Sequence, residues 1–139
     1  MEIIESPGGW IARLDPGEEL PRDLLAAVRP LGFGLLAVSG IGAVSRAILG
    51  YFDLDRNRYV ETVLEENLEV VSLQGNITRV DGVPFLHAHV LVSRRDGQVL
   101  GGHLMSARVS VTVELVLARF DAAASRQVDP RFGLKLLRL

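Results

Sequence analysis

The 139-residue sequence contains no cysteine. Disulfides, thiolate metal sites and cysteine nucleophiles are excluded together. Such a chain suits a reducing compartment. It also lacks a basic excess: the formal net charge is −2 and the isoelectric point about 5.9. Duplex DNA binding normally needs a basic face. The start, Met1-Glu2-Ile3-Ile4-Glu5, has neither a basic nor an apolar leader region, so a cytoplasmic location is expected. The longest uncharged run, Pro30 to Ser45, is too short and too rich in glycine to span a bilayer. No internal repeat, low-complexity tract or flexible linker divides the chain.

What remains is the composition of one globular domain, residues 1–139, with 48% hydrophobic and 23% charged residues. The mean hydropathy, +0.27, is slightly high. An apolar excess in a small chain points to surface covered between subunits.

Trp10 to Leu14 alternates apolar and polar residues, as a strand does. Residues 18–29 read as the principal helix: Leu20, Leu24, Leu25 and Val28 share a face, Pro21 sits in the first turn, and Glu18, Glu19 and Asp23 favour the positive end of the dipole. Phe33 to Val38 reads as a short buried strand, followed by a turn at Ser39-Gly40-Ile41-Gly42. Strand character returns over Val44–Phe52, Tyr59–Leu64 and Leu68–Leu73, the last closed by Gly75-Asn76. Val83–Ser93 and Gln98–Leu104 form a hairpin across Arg95-Asp96-Gly97. In Ala107–Ala118, Val109, Val111, Val113, Leu115 and Leu117 fall on one face. Phe132–Leu139 suits a last edge strand. The class is therefore α+β, with a mainly antiparallel sheet of about seven strands.

The hairpin holds the most specific feature. His87 and His89, two apart on a strand, point to the same face. His103, the third and last histidine, lies on the returning strand. If Asp96-Gly97 is a two-residue loop, His103 opposes Val90 on the wrong face. If Arg95-Asp96-Gly97 is a three-residue loop with Gly97 left-handed, His103 opposes His89. The second register also places Val83, Phe85 and Leu91 on the histidine face, which must then be substantially buried. Gly101-Gly102 could mark a bulge that reverses the parity. Three imidazoles on one face would suit a divalent metal, zinc foremost, with an open fourth position; nickel, copper and iron accept the same ligands.

Other candidates are weaker. Gly40-Ile41-Gly42-Ala43-Val44-Ser45 lacks the third glycine of a dinucleotide fingerprint and is not followed by a convincing helix. Ser39, Ser45 and Ser106 would need a base that metal-bound histidines cannot supply. Glu61, Glu65, Glu66, Glu69 and Glu114 could offer a general base or a fourth ligand, with no fixed spacing to the hairpin. Arg126, Arg131, Lys135 and Arg138 gather near the C-terminus against Asp129 alone, and read as a solvated last strand.

Several of these segments together resemble the plants-and-prokaryotes-conserved domain: Gly40-Ile41-Gly42-Ala43-Val44, Gly50-Tyr51-Phe52, Glu69 to Ile77, Pro84-Phe85-Leu86-His87-Ala88-His89, Asp96-Gly97 and Gly101-Gly102-His103-Leu104. The likeness runs from Trp10 to Phe120. It implies a homotrimer and a metal site, with zinc expected, at the positions of His87, His89 and His103 near a subunit boundary, and it supports the three-residue loop. In plants the domain accompanies AT-hook motifs that contact DNA. This chain has no Arg-Gly-Arg-Pro hook, and reads Asn67-Leu68-Glu69-Val70-Val71 where plant members carry an arginine and a phenylalanine. It resembles a stand-alone prokaryotic member. Three functions follow as expectations: a metal-binding trimeric module that takes a small ligand or a protein partner, a metal-dependent hydrolase or lyase, and a DNA-associated regulator. Direct DNA contact is the least expected, and no membrane association is expected.

Overall fold

The computed structural model describes residues 1–139. In chain order the elements are β1 (Glu2–Ser6), β2 (Gly9–Leu14), β3 (Glu19–Leu20), α1 (Arg22–Val28), β4 (Leu35–Asp53), β5 (Arg58–Leu64), β6 (Leu68–Val80), β7 (Val83–Ser93), β8 (Val99–Phe120), β9 (Ser125–Val128) and β10 (Lys135–Arg138). All ten strands belong to one sheet. It is antiparallel except for a single parallel bridge between Arg79 and Ser125. The α+β class holds, with a larger share of sheet than expected.

Two long strands organise the sheet. β8 pairs with β2, β3, β4 and β7. β4 pairs with β5, β6 and β8. Because β6 also pairs with β7, the strands β4, β6, β7 and β8 close into a ring. The inward side chains of this ring, among them Leu36, Val38, Leu73, Val90, Val92, Val113 and Leu115, join Leu24 and Val28 of α1 in one apolar core. That burial is the main source of stability in a chain with no cross-links.

Several expectations are corrected. The principal helix spans Arg22–Val28, shorter than residues 18–29. The residues before it are held by the sheet: Glu19 and Leu20 pair with Arg108 and Ala107, and Val109 N donates to the Glu18 carbonyl at 2.9 Å. Glu18 does not serve the helix dipole; its carboxylate accepts the N-terminal amine at 2.6 Å. Ser39-Gly40-Ile41-Gly42 is not a turn but the middle of β4. The strand continues because both neighbours pair through it, and a Cβ at Gly42 would collide with the Thr112 carbonyl oxygen. Gly75-Asn76 likewise does not close β6, and Gln98–Leu104 and Ala107–Ala118 merge into β8. Strands β1 and β9 were not expected, and they help raise the total from about seven strands to ten.

Val111 leaves the face assigned to it. Gly42 pairs with Val113, and Val44 with Val109, so β8 spends two more residues than β4 over this stretch. Val111 is thrown outward and is 66% exposed, while Val109, Val113, Leu115 and Leu117 stay buried.

Leu115→Ala should cost about 2–5 kcal/mol, since it empties a packed interior position. Urea denaturation checks this; a loss below about 1 kcal/mol would place Leu115 outside the shared core.

Candidate metal centre

The loop between β7 and β8 settles the parity. Arg94 N donates to the Gln98 carbonyl, and Gly97 N to the Arg94 carbonyl, both at 2.9 Å. Gly97 has φ +82°, a conformation glycine adopts without penalty. The loop is therefore Arg95-Asp96-Gly97, three residues long. The register Ser93↔Val99, Val92↔Leu100, Leu91↔Gly101, Val90↔Gly102 and His89↔His103 runs without a bulge through the paired glycines.

On β7, Leu86, Ala88, Val90 and Val92 are buried. The alternate positions, His87 and His89, therefore face away from the core. Ring centroids are 5.4 Å apart for His87–His89, 5.3 Å for His87–His103 and 5.6 Å for His89–His103. One ring nitrogen from each lies within 4.8 Å of the others, and no carboxylate joins the group. The histidine face is not substantially buried within one chain: Val83 is 54% and Leu91 46% exposed. His89 is exposed, while His87 and His103 are half-buried.

Two neighbours shelter the half-buried pair. Tyr59 of β5 stacks beside His103, with ring centroids 5.0 Å apart. On the other side, β9 and β10 pair as a hairpin and deliver Arg126. Its guanidinium donates to the Lys135 carbonyl and to Asn76 Oδ1, each at 2.7 Å, and approaches His87 Nδ1 at 3.3 Å. A cavity of about 210 Å³ opens here, lined by Tyr59, Phe85, His87, His103, Arg126 and the 133–136 segment. The C-terminal cations are thus not simply a solvated strand. Arg126 is buried, and Arg131 is bound to Asp129 at 2.9 Å. Arg131 holds the Asp129 carboxyl down at about 2.

Burial lowers the pKa of His103 to about 4, helped by His87, His89 and Arg126. Burial also lowers that of His87, with Arg126 and His89 adding to it. Both rings are therefore neutral near pH 7, the form that offers a lone pair to a metal. His103 Nδ1 is buried and has no hydrogen-bond partner. Buried nitrogens are rarely left so, and a metal ion would satisfy it. The donor set fits a divalent ion that accepts imidazole.

The other candidates do not converge here. Ser39 accepts from Gln74 at 2.9 Å, and Ser45 reaches the Arg108 carbonyl at 3.5 Å. Glu65 is paired with Arg46 and Glu66 with Arg94. Tyr59, Arg126 and Lys135 are the site residues that sequence reading did not assign to it. Arg126 lies 39 positions from His87, and no local pattern links them.

Residues 5–121 match the family model of the Plants and Prokaryotes Conserved (PCC) domain. The solved metal-containing protein AF0104 of Archaeoglobus fulgidus is 38% identical, covers 100% of both chains and superposes with a TM-score of 0.84. A plant- and prokaryote-conserved protein of Pyrococcus horikoshii is 31% identical over 93% of this chain and 90% of its own, with a TM-score of 0.84. A protein of Bacteroides thetaiotaomicron, provisionally called DNA-binding, is 27% identical over 99% of this chain and 96% of its own, with a TM-score of 0.93. No curated protein matches the sequence significantly.

In the folded chain His103 resists protonation until about pH 4; unfolded, it takes the proton near 6.5. The unfolded state therefore binds more protons between those values, and stability falls as the pH drops through them. Urea midpoints measured with a chelator present should decline across this window, and His103→Gln should flatten that part of the decline. An equal decline in the variant would assign it to other groups.

Proposed function

The chain belongs to the Plants and Prokaryotes Conserved family, and on that footing we propose that it is a zinc-binding module, working as a homotrimer, that presents an open metal position to a small ligand or a partner. One observation carries this reading: His87, His89 and His103, the only histidines of the chain, bring three ring nitrogens within 4.8 Å of one another. Zinc takes imidazole nitrogens at about 2.0–2.1 Å, and three protein ligands leave a fourth position open. Small ring rotations would draw the nitrogens onto one ion. The Archaeoglobus relative, described as metal-containing, supports the assignment.

The surface supports assembly. Register places Ile4 opposite Ile11, Ile11 opposite Val116, Val116 opposite Ser39, Ser39 opposite Gln74, and Gln74 opposite His89. Directly paired residues share a face, so an outward row leads from an apolar end to the exposed histidine. Ile4, Ile11 and Val116 are each about half exposed or more, and Ile41 beside them is 58% exposed. A second copy covering this band would end beside His89, where a side chain of that copy could complete the metal.

A hydrolase or lyase working through metal-bound water has less support, because no acidic residue lines the cavity or joins the histidines. Direct DNA binding has little support beyond the provisional name of relatives, since Arg126 is buried and Arg131 is paired. The absence of cysteine suits the cytoplasm; no helix is long and apolar enough to cross a membrane.

Elemental analysis of untagged protein, purified without added metal and run beside light scattering, should give about one zinc per chain in a particle of three chains. His89→Ala should lose the stoichiometric metal and keep the fold. Metal retained at full stoichiometry in that variant would refute the site, and a monomer at micromolar concentration would refute the trimer.

A further inference from the structure

Arg126 is 5% exposed, and its guanidinium meets only neutral groups: the Lys135 carbonyl, Asn76 Oδ1 and His87 Nδ1. Its Nε is buried with no partner. Buried charges in proteins are ordinarily paired with an opposite charge, because desolvating a lone ion is expensive. Here no carboxylate supplies the pairing. Lys135 adds a second cation, its Nζ 4.9 Å from the centroid of the Phe85 ring, while Arg126 lies 5.5 Å from the same centroid. None of the nine residues lining the cavity is acidic. A dication held by the adjacent histidines would be the largest local charge and would deepen the imbalance.

We infer that the cavity between His87, His103 and the β9–β10 hairpin binds a small monocarboxylate with an apolar body. The inference rests on the metal reading above and names the ligand class for the same site. The carboxylate would lie between the open metal position and the guanidinium, whose planar donors suit a carboxylate better than an ammonium does. The apolar body would rest against Tyr59, Phe85, Leu134 and Leu136, which make most of the wall not supplied by His87, His103, Arg126 and Lys135. The volume, about 210 Å³, is below the roughly 300–1,000 Å³ of pockets for drug-sized ligands, so the ligand is small. The family match ends at residue 121. Arg126 and the β9–β10 hairpin lie beyond it, so one wall of the pocket comes from outside the matched residues, while Tyr59, Phe85, His87 and His103 lie within them.

Calorimetry on the zinc-loaded, full-length assembly tests the inference, with benzoate as probe and benzamide and inorganic phosphate as controls. Zinc content is measured on each sample. Benzoate should bind; benzamide, matched in shape but uncharged, should not, and phosphate should bind more weakly. Arg126→Gln should keep its zinc and lose about tenfold or more in benzoate affinity, the scale of a charge-assisted hydrogen bond. Lys135→Gln, a change at an exposed side chain, should keep the fold even if Arg126→Gln does not, and should weaken benzoate several-fold. Zinc-loaded protein that ignores benzoate, binds phosphate more tightly, or binds benzoate equally well in both variants would overturn the carboxylate pocket and leave the metal site standing. Protein that takes up no zinc would overturn both.

Discussion

One left-handed glycine, Gly97, fixes the loop that puts all three histidines on one face of the sheet. Gly97, at φ +82°, closes a loop of three residues between β7 and β8. Shortening that loop by one would shift the register by one and turn His103 to the opposite face, because side chains alternate along a strand. With the register as it stands, His89 and His103 are direct partners, and His87 follows two residues away on the same face. The rest of the hairpin makes this outward-facing group rigid. Leu86, Ala88, Val90 and Val92 fill the core from the other face of β7, so the strand cannot slip without exposing them. Gly101 and Gly102 keep the ladder regular while letting neighbours come close: a Cβ at Gly102 would sit 2.9 Å from the Gly50 carbonyl oxygen.

The electrostatics of the site follow from what covers it. Tyr59 and the C-terminal hairpin shield His87 and His103 from water, and that burial keeps both imidazoles neutral. The same shielding puts a guanidinium out of water without a counter-charge. A metal ion would satisfy the histidines and an anion would satisfy the arginine, so on the proposed reading the two halves of the cavity take different ligands side by side. An exposed apolar strip across β1, β2 and β8 shares its face with His89, reached from Val116 through Ser39 and Gln74, so the proposed assembly would use the face that carries the histidines.

Local pattern carried much of this into view. The bounds of β7 and the identities of the three histidines were legible, because alternation and spacing are local properties. The loop length was not settled by the residues themselves: Asp96-Gly97 and Arg95-Asp96-Gly97 are both acceptable turns, and only the hydrogen bonds of Arg94 distinguish them. Glycine misled at Gly40, Gly42 and Gly75, where it marks close approach of two strands within the sheet rather than the end of one. Val111 left its face because a bulge is set by the pairing of β8 with β4, which no window along β8 contains. The helix shortened for the same reason, its first turn being claimed by a strand nearly ninety positions away in sequence. Arg126 is the extreme case. Its role depends on a hairpin folding back across β6 and β7, and sequence alone leaves it among surface cations.

The most direct test is anomalous diffraction at the zinc edge from crystals of the full chain grown without chelator. The account predicts one peak per chain, with His87, His89 and His103 ring nitrogens each about 2.0–2.1 Å from it. A metal bound through other residues, or histidines that hold none in protein supplied with zinc, would contradict it.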